Sequence, residues 1–151
     1  MASERLNVLF VTSEVAPFSK TGGLADVSRA LPAALSRLGC NIAVFTPFYK
    51  HAKAVAGDVK FSDVVVGIQL RGRIQEARIA LGQIPGSGVA VYFLANDAYF
   101  DRDGLYQSAS GDYLDNAERF IFFCRSCAET IRRLRLKVDV IHANDWQAAL
   151  M

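Results

Sequence analysis

The segment Lys20-Thr-Gly-Gly-Leu24 has the residue types of an anion-binding site. It lies directly before a predicted helix, whose first backbone N–H groups are free to donate hydrogen bonds to a phosphate. Its two glycines allow a ligand to approach the backbone closely, and Lys20 adds a mobile positive charge. The spacing matches neither a Walker loop nor the GxGxxG dinucleotide fingerprint. The residues alone therefore leave two interpretations, an anion or sugar-phosphate site and a tight turn with a solvated lysine.

A second polar group follows the last apolar run of the chain, in the segment His142-Ala-Asn-Asp-Trp146. Asp145 comes after a predicted buried strand and stands beside Trp146. Such a carboxylate can accept hydrogen bonds from sugar hydroxyls while the neighbouring ring packs against the sugar. The spacing fits another interpretation equally well, in which Asp145 caps the following helix and Trp146 belongs to the core.

Cys124 and Cys127 form a CxxC pattern inside a strongly helical segment. Zinc would need two more ligands, and the chain contains only His51 and His142. We therefore predict two core residues one helical turn apart and no metal site. With Cys40, the cysteines are an odd and sparse set, which favours a reducing compartment over a disulfide framework.

Short apolar runs alternate with helical patterns along the chain, which predicts parallel strands joined by helices. The predicted strands are 6–12, 41–46, 89–94 and 138–142, and the predicted helices are 24–38 and 113–134. Residues 61–70 and 73–84 are rich in Val and Ile and flank Arg71-Gly72, which predicts an antiparallel pair. The fold class is therefore α/β, a parallel sheet with an inserted antiparallel β-hairpin.

Both predicted helices contain residues that bear on where the helix begins. Pro32 lies inside the first pattern, so it either kinks that helix or marks a first turn capped by Ser28. Asp112 is the predicted N-cap of the second helix. Asp115 and Arg119 are four residues apart, which predicts an ion pair on the exposed side of that helix.

Ligands of open α/β sheets bind beyond the carboxyl ends of the strands. The loops 12–23, 95–111 and 143–145 each follow a predicted strand of the parallel sheet. We therefore expect the two polar groups to lie at the same edge.

The composition indicates one globular domain over residues 1–151, because 52% of the residues are hydrophobic. The net charge is +2, which gives no support for a nucleic-acid or membrane-surface partner. No apolar stretch is long enough to span a membrane, so we expect a soluble protein of the bacterial cytoplasm, or of the plastid stroma after removal of a transit peptide. The chain ends just after a helix begins, which predicts a truncated domain.

The segment Val11-Thr-Ser-Glu-Val-Ala-Pro-Phe-Ser-Lys-Thr-Gly-Gly-Leu-Ala-Asp-Val27 closely resembles the N-terminus of bacterial glycogen synthases and plant starch synthases. Within it, Lys20-Thr-Gly-Gly-Leu24 matches the signature of that family. Four further motifs follow in the family's order: Leu31-Pro-Ala-Ala-Leu35, Thr46-Pro-Phe-Tyr49, Asp115-Asn-Ala-Glu-Arg-Phe120 and His142-Ala-Asn-Asp-Trp-Gln147. The resemblance covers essentially the whole chain.

This resemblance implies a retaining glucosyltransferase that moves glucose from ADP-glucose to the non-reducing end of an α-1,4-glucan, with no metal or other cofactor. The implied fold is GT-B, two Rossmann-like domains with the active site in the cleft between them. The chain resembles most of the first domain. The C-terminal nucleotide-binding domain, which in the family supplies an Arg, a Lys and a Glu around the donor, is absent from these residues. We therefore expect the isolated chain to be inactive.

The resemblance also implies donor-side roles for individual residues. Lys20 would contact the donor near its diphosphate and glucose, and Gly22 and Gly23 would offer backbone N–H groups to the diphosphate. Asp26 would support this signature, and Tyr106 would lie near the donor.

On the acceptor side, Asp145 would lie by the transferred glucose and the acceptor hydroxyl, and Trp146 would shape the acceptor site. His142 and Asn144 are further candidates there. Gln147 stands where many relatives carry a histidine, so the resemblance implies no role for it.

Two functions of other classes stay open at this point. One is a synthase-like module that binds glucan without catalysis. The other is a flavodoxin-like phosphate-binding domain, which leaves the Lys20 signature and the Asp145-Trp146 pair unexplained.

Overall fold

A computed structural model describes residues 5–151 of the chain. Its eight strands are β1 Asn7–Val11, β2 Asn41–Pro47, β3 Lys60–Leu70, β4 Arg73–Gln83, β5 Ala90–Ala95, β6 Gln107–Ser108, β7 Gly111–Asp112 and β8 Val140–Ala143. Its α-helices are α1 Gly23–Arg37, α2 Lys50–Val55, α3 Asp97–Phe100 and α4 Asn116–Arg133, and a 3₁₀ turn spans Trp146–Ala148.

Six strands form one mixed sheet in the order β3-β4-β5-β2-β1-β8. The four strands β5, β2, β1 and β8 are mutually parallel, and β3 and β4 add an antiparallel hairpin beside β5. This is the predicted α/β fold with its inserted hairpin. The central strands are apolar on both faces, since Phe10, Val11, Val44 and Phe45 are all fully buried.

A two-residue turn closes the hairpin between β3 and β4. Arg71 and Gly72 have φ values of 46° and 74°, the backbone conformation that matches the right-handed twist of the flanking strands. The hairpin also contacts α4, whose Arg125 donates a hydrogen bond to the carbonyl of Gln69 over 2.8 Å. The insertion is therefore packed onto the domain.

Helix α1 runs without interruption through Pro32. Ser28 lies inside this helix, fully buried, and its hydroxyl is 3.0 Å from that of Thr12. The interpretation in which Ser28 caps a first turn is therefore wrong. The helix ends in the expected way, with Gly39 at φ 94° after its last turn.

Helix α4 begins at Asn116, three residues later than the pattern predicts. Asp112 belongs to the short strand β7, so it is not the N-cap. Asp115 occupies that position, and its carboxylate accepts two hydrogen bonds from Arg102, at 2.8 and 2.6 Å. The Arg102 guanidinium holds the pKa of Asp115 below its ordinary value.

Arg119 is fully buried rather than exposed, which contradicts the sequence-based expectation. Its Nε donates to the carbonyl of Tyr99 over 2.8 Å, and its Nη1 donates to the Asn116 side chain over 2.6 Å. The guanidinium carbon also lies over the rings of Phe100 and Tyr113, at 5.5 and 5.1 Å from their centroids. Burial lowers the pKa of Arg119.

Cys124 and Cys127 are buried, free thiols in the core face of α4, as predicted. Burial raises the pKa of both thiols. His51 is exposed and lies in α2. None of the helices within residues 5–151 combines the length and the apolar character needed to cross a membrane.

We expect Arg119→Ala to lower the free energy of unfolding by about 3 kcal/mol, because it opens a cavity and leaves the carbonyl of Tyr99 without its donor. Arg125→Ala is the matched control on the same helix, since Arg125 is exposed, and it should cost less than about 1 kcal/mol. Urea unfolding measures both. Equal losses for the two variants would contradict the account of Arg119 as a core residue.

Candidate active site

Three loops meet at the carboxyl edge of the parallel strands, as the sequence predicts. Tyr106, in the loop after β5, has its hydroxyl 2.7 Å from that of Ser13, in the loop after β1. Its ring centroid lies 6.1 Å from that of Trp146, which follows β8. Asn144 ties the loop after β8 to β1, since its backbone and side-chain N–H groups both donate to the carbonyl of Val11.

Glu14 is the buried charge around which these loops are arranged, with only 3% of its surface exposed. Its Oε1 accepts hydrogen bonds from the hydroxyls of Thr21, at 2.6 Å, and Tyr106, at 2.8 Å. Its Oε2 accepts from the backbone N–H of Thr21 at 2.7 Å and from that of Gly22 at 3.4 Å. The carboxylate thus connects the loop after β1 to the loop after β5.

Sequence reasoning missed Glu14 as a site residue. The available signal was an acidic side chain placed directly after a buried strand and before the apolar stretch Val15–Phe18. Those apolar residues are buried apart from Pro17, so a carboxylate beside them needs hydrogen-bond donors from elsewhere.

The start of α1 has no side-chain cap, because Gly22 occupies the N-cap position. Gly22 has an extended backbone with φ −154°, and neither Gly22 nor Gly23 has a positive φ. A Cβ added at either position would meet no atom within 4 Å. The turn itself therefore does not require glycine at either position, and the space beside both is open to a ligand.

Lys20 is half-exposed and is not simply solvated. Its Nζ donates to both carboxylate oxygens of Asp26, at 2.7 and 2.8 Å. Asp26 belongs to the first turn of α1, so this ion pair holds the ammonium group near the start of the helix. Both partners are more than half exposed, at 53% and 60% of their side-chain surface, so the pair is accessible to a competing anion.

Asp145 caps the 3₁₀ turn after β8, with Oδ1 accepting from the N–H of Trp146 over 2.7 Å. Its φ of 63° and ψ of 177° lie in a region that is costly for any residue other than glycine. Trp146 is not a core residue, since 52% of its surface is exposed. Its ring packs against those of Tyr106 and Phe120, at 6.1 and 5.1 Å between centroids. The structure therefore combines parts of both sequence interpretations, a capping aspartate and a half-exposed aromatic ring.

His142, Asn144 and Gln147 also lie in or beside the loop after β8. The ring of His142 stacks on buried Phe10, with centroids 4.7 Å apart and planes within 8°. The side-chain amide of Asn144 donates to the carbonyls of Val11 and His142. Gln147 is buried, and within the described part of the chain its Oε1 accepts no hydrogen bond.

An apolar groove adjoins the exposed ring of Trp146. Its walls come from α4 and from the segment that follows β8, and its volume is about 340 Å³. The lining residues include Phe120, Ile121, Cys124, Trp146 and Leu150. The carboxyl edge thus presents a polar helix start on one side and an aromatic, apolar surface on the other.

Known proteins are similar to this chain in both sequence and fold. A family model described as the starch synthase catalytic domain matches residues 7–151. Glycogen synthase 2 of Geobacter sulfurreducens is 44% identical over 149 residues, and the glycogen synthase of Geotalea uraniireducens is 40% identical over 151 residues. Each alignment covers 97% of this chain and 30% of the relative, so the chain spans less than a third of their length.

A solved structure gives the same result. The catalytic domain of starch synthase IV from Arabidopsis thaliana, bound to ADP and acarbose, is 30% identical with a TM-score of 0.85. That match covers 97% of this chain and 29% of the solved chain. From the family model, the relatives and this structure together, the chain belongs to the starch synthase catalytic-domain family.

Proposed function

We propose that this chain forms the N-terminal, acceptor-side part of a retaining glucosyltransferase that transfers glucose from ADP-glucose to the non-reducing end of an α-1,4-glucan. The observation that carries the proposal is the uncapped start of α1, with open space beside Gly22 and Gly23 and a lysine held close by. Membership of the family supports the choice of a nucleotide sugar as the anion. Because the chain spans about 30% of its relatives, a C-terminal domain would supply the rest of the donor site.

The donor side would stabilise the negative charge that develops as ADP leaves. The backbone N–H groups at the start of α1 and the Lys20 ammonium are already in place before the reaction, so little reorganisation is needed. Phosphate oxygens would replace Asp26 as the partner of Lys20 or share the lysine with it. In this proposal helix amides and cationic side chains balance the charge, with no metal ion assigned.

The acceptor side would place a glucan hydroxyl near the transferred glucose. The bond from the glucose anomeric carbon to the ADP oxygen breaks, and the acceptor oxygen bonds to that carbon on the same face. The acceptor proton passes to the departing diphosphate. Asp145 would orient the glucose and the acceptor hydroxyl, and the Trp146 ring would pack against the acceptor sugar. Tyr106, beside Trp146, would contact the donor.

The free thiols of Cys40, Cys124 and Cys127 support a reducing cellular compartment, as does membership of a family of glucan synthases. We propose the bacterial cytoplasm, with the plastid stroma as the alternative.

An assay of glucose transfer tests the proposal, using the full polypeptide that carries this chain, labelled ADP-glucose and a short α-1,4-glucan. We expect lengthening of the glucan by α-linked glucose, and no transfer by the 151 residues alone. Glucan binding without any transfer by the full polypeptide would overturn the proposal and favour a non-catalytic binding module.

We expect Gly23→Ala to weaken ADP binding about tenfold without loss of stability, because the added methyl group occupies the space proposed for the diphosphate. The fold should tolerate alanine, since no atom lies within 4 Å of the added Cβ and alanine favours helix. Calorimetric titration and thermal unfolding measure the two effects. Ala30→Val, at an exposed position of the same helix, is the control. Unchanged ADP affinity in Gly23→Ala would contradict this site.

We expect Asp145→Asn to lower kcat about 100-fold at unchanged stability, because asparagine has the same shape and keeps the cap but loses the charge. Asp103→Asn is the matched control, since the Asp103 carboxylate is exposed and pairs with Lys50. Steady-state kinetics of the full polypeptide decides the matter. A kcat equal to that of Asp103→Asn would remove Asp145 from the mechanism.

A further inference from the structure

Glu14 accepts hydrogen bonds from two loops that carry different parts of the proposed site. The donors on one side are Thr21 and Gly22, which lead directly into α1 and follow Lys20. The donor on the other side is Tyr106, whose ring packs against Trp146. One carboxylate therefore connects the helix start to the aromatic surface.

All four hydrogen bonds at Glu14 run toward its two carboxylate oxygens. Burial raises the pKa of Tyr106 far above its ordinary value, so its hydroxyl keeps its proton and donates it to Glu14. The Ser13 hydroxyl is then the donor in its contact with Tyr106. A glutamine at position 14 can keep an oxygen toward the backbone N–H groups of Thr21 and Gly22, but it then turns its NH₂ group toward the Thr21 and Tyr106 hydroxyls. Those hydroxyls would have to accept instead of donate, so the variant removes the negative charge and reverses two hydrogen bonds.

Two further polar groups are buried in the domain. The Tyr49 hydroxyl and Nη2 of Arg119 have no hydrogen-bond partner among residues 5–151. Burial raises the pKa of Tyr49, while the Arg119 charge lowers it and the Glu14 charge raises it, so the phenol lies within electrostatic reach of both.

We propose that Glu14 is a positioning residue for the glucosyl transfer, which holds the phosphate-binding start of α1 and the Tyr106–Trp146 surface in one fixed arrangement. This inference rests on the proposed function of the same site. Glu14 itself touches no substrate in this account. Its two oxygens accept hydrogen bonds from Thr21, Gly22 and Tyr106, and Glu14 acts through these three residues.

A positioning role and a purely structural role differ in what they change. A residue that only stabilises the fold alters the melting temperature and the amount of folded enzyme, but leaves the KM values of the folded fraction unchanged. A positioning residue alters kcat and the KM for ADP-glucose in the folded enzyme, because the reacting groups are misplaced by a fraction of an ångström.

The experiment compares Glu14→Gln with Glu76→Gln in the full polypeptide, with folding checked by circular dichroism. Glu76 is an exposed glutamate on the hairpin, and its variant should match the wild type. For Glu14→Gln we expect about a tenfold higher KM for ADP-glucose and about a tenfold lower kcat. Wild-type KM and kcat with a lower melting temperature would overturn the inference, whereas an inactive wild type would overturn the proposed function instead.

Tyr106→Phe supplies an independent test through the same carboxylate. Alone it should raise the KM for ADP-glucose about threefold, although the hydroxyl it removes belongs to the other loop. In the Glu14→Gln background it should add little, because the shared hydrogen bond is already altered. Fully multiplicative effects would contradict the coupling.

Thr21→Ala decides the question if Glu14→Gln does not fold. It removes one donor to Oε1 and leaves the backbone N–H of residue 21 bonded to Oε2. We expect a threefold to fivefold higher KM for ADP-glucose with an unchanged melting temperature. Wild-type kinetics in both Thr21→Ala and Tyr106→Phe would refute the positioning role.

Discussion

Parallel pairing of β5, β2, β1 and β8 is the constraint on which the rest of the structure depends. Parallel strands end at the same edge of the sheet, so loops that are far apart in sequence come together there. The loop after β1 meets Tyr106, which lies more than 90 residues later in the chain. Residues from several separate motifs therefore come together at this edge.

Buried polar groups fix how those loops sit against one another. Glu14 and Arg119 each lie in the interior, where an unpartnered charge would be costly, so each draws hydrogen-bond partners from distant segments. Apolar packing alone would allow the loops to shift, because it has little directional preference. The hydrogen bonds of Glu14 are directional, so they fix the positions of the loops where we propose that the donor and acceptor surfaces meet.

The sequence predicted the strands well, because apolar runs and the Arg71-Gly72 turn are local signals. It also predicted the positions of the Lys20 loop and of Trp146, which follow from parallel strand order. It failed where partners are distant: Arg119 fits an exposed helical pair with Asp115, yet Tyr99 and Asn116 hold its guanidinium in the core. Glu14 was missed for a similar reason, since one of its hydrogen-bond donors, Tyr106, lies more than 90 residues away. The roles of Lys20, Asp145 and Trp146 in transfer stay predictions.

Hydrogen–deuterium exchange of the full polypeptide, with and without ADP and a short α-1,4-glucan, can locate both substrates on the domain. If the carboxyl edge is the site, ADP will slow exchange of the backbone N–H groups at the start of α1. The glucan will slow exchange in the segment that contains Asp145 and Trp146. Protection confined to the β3–β4 hairpin, or none within residues 5–151, would contradict the account.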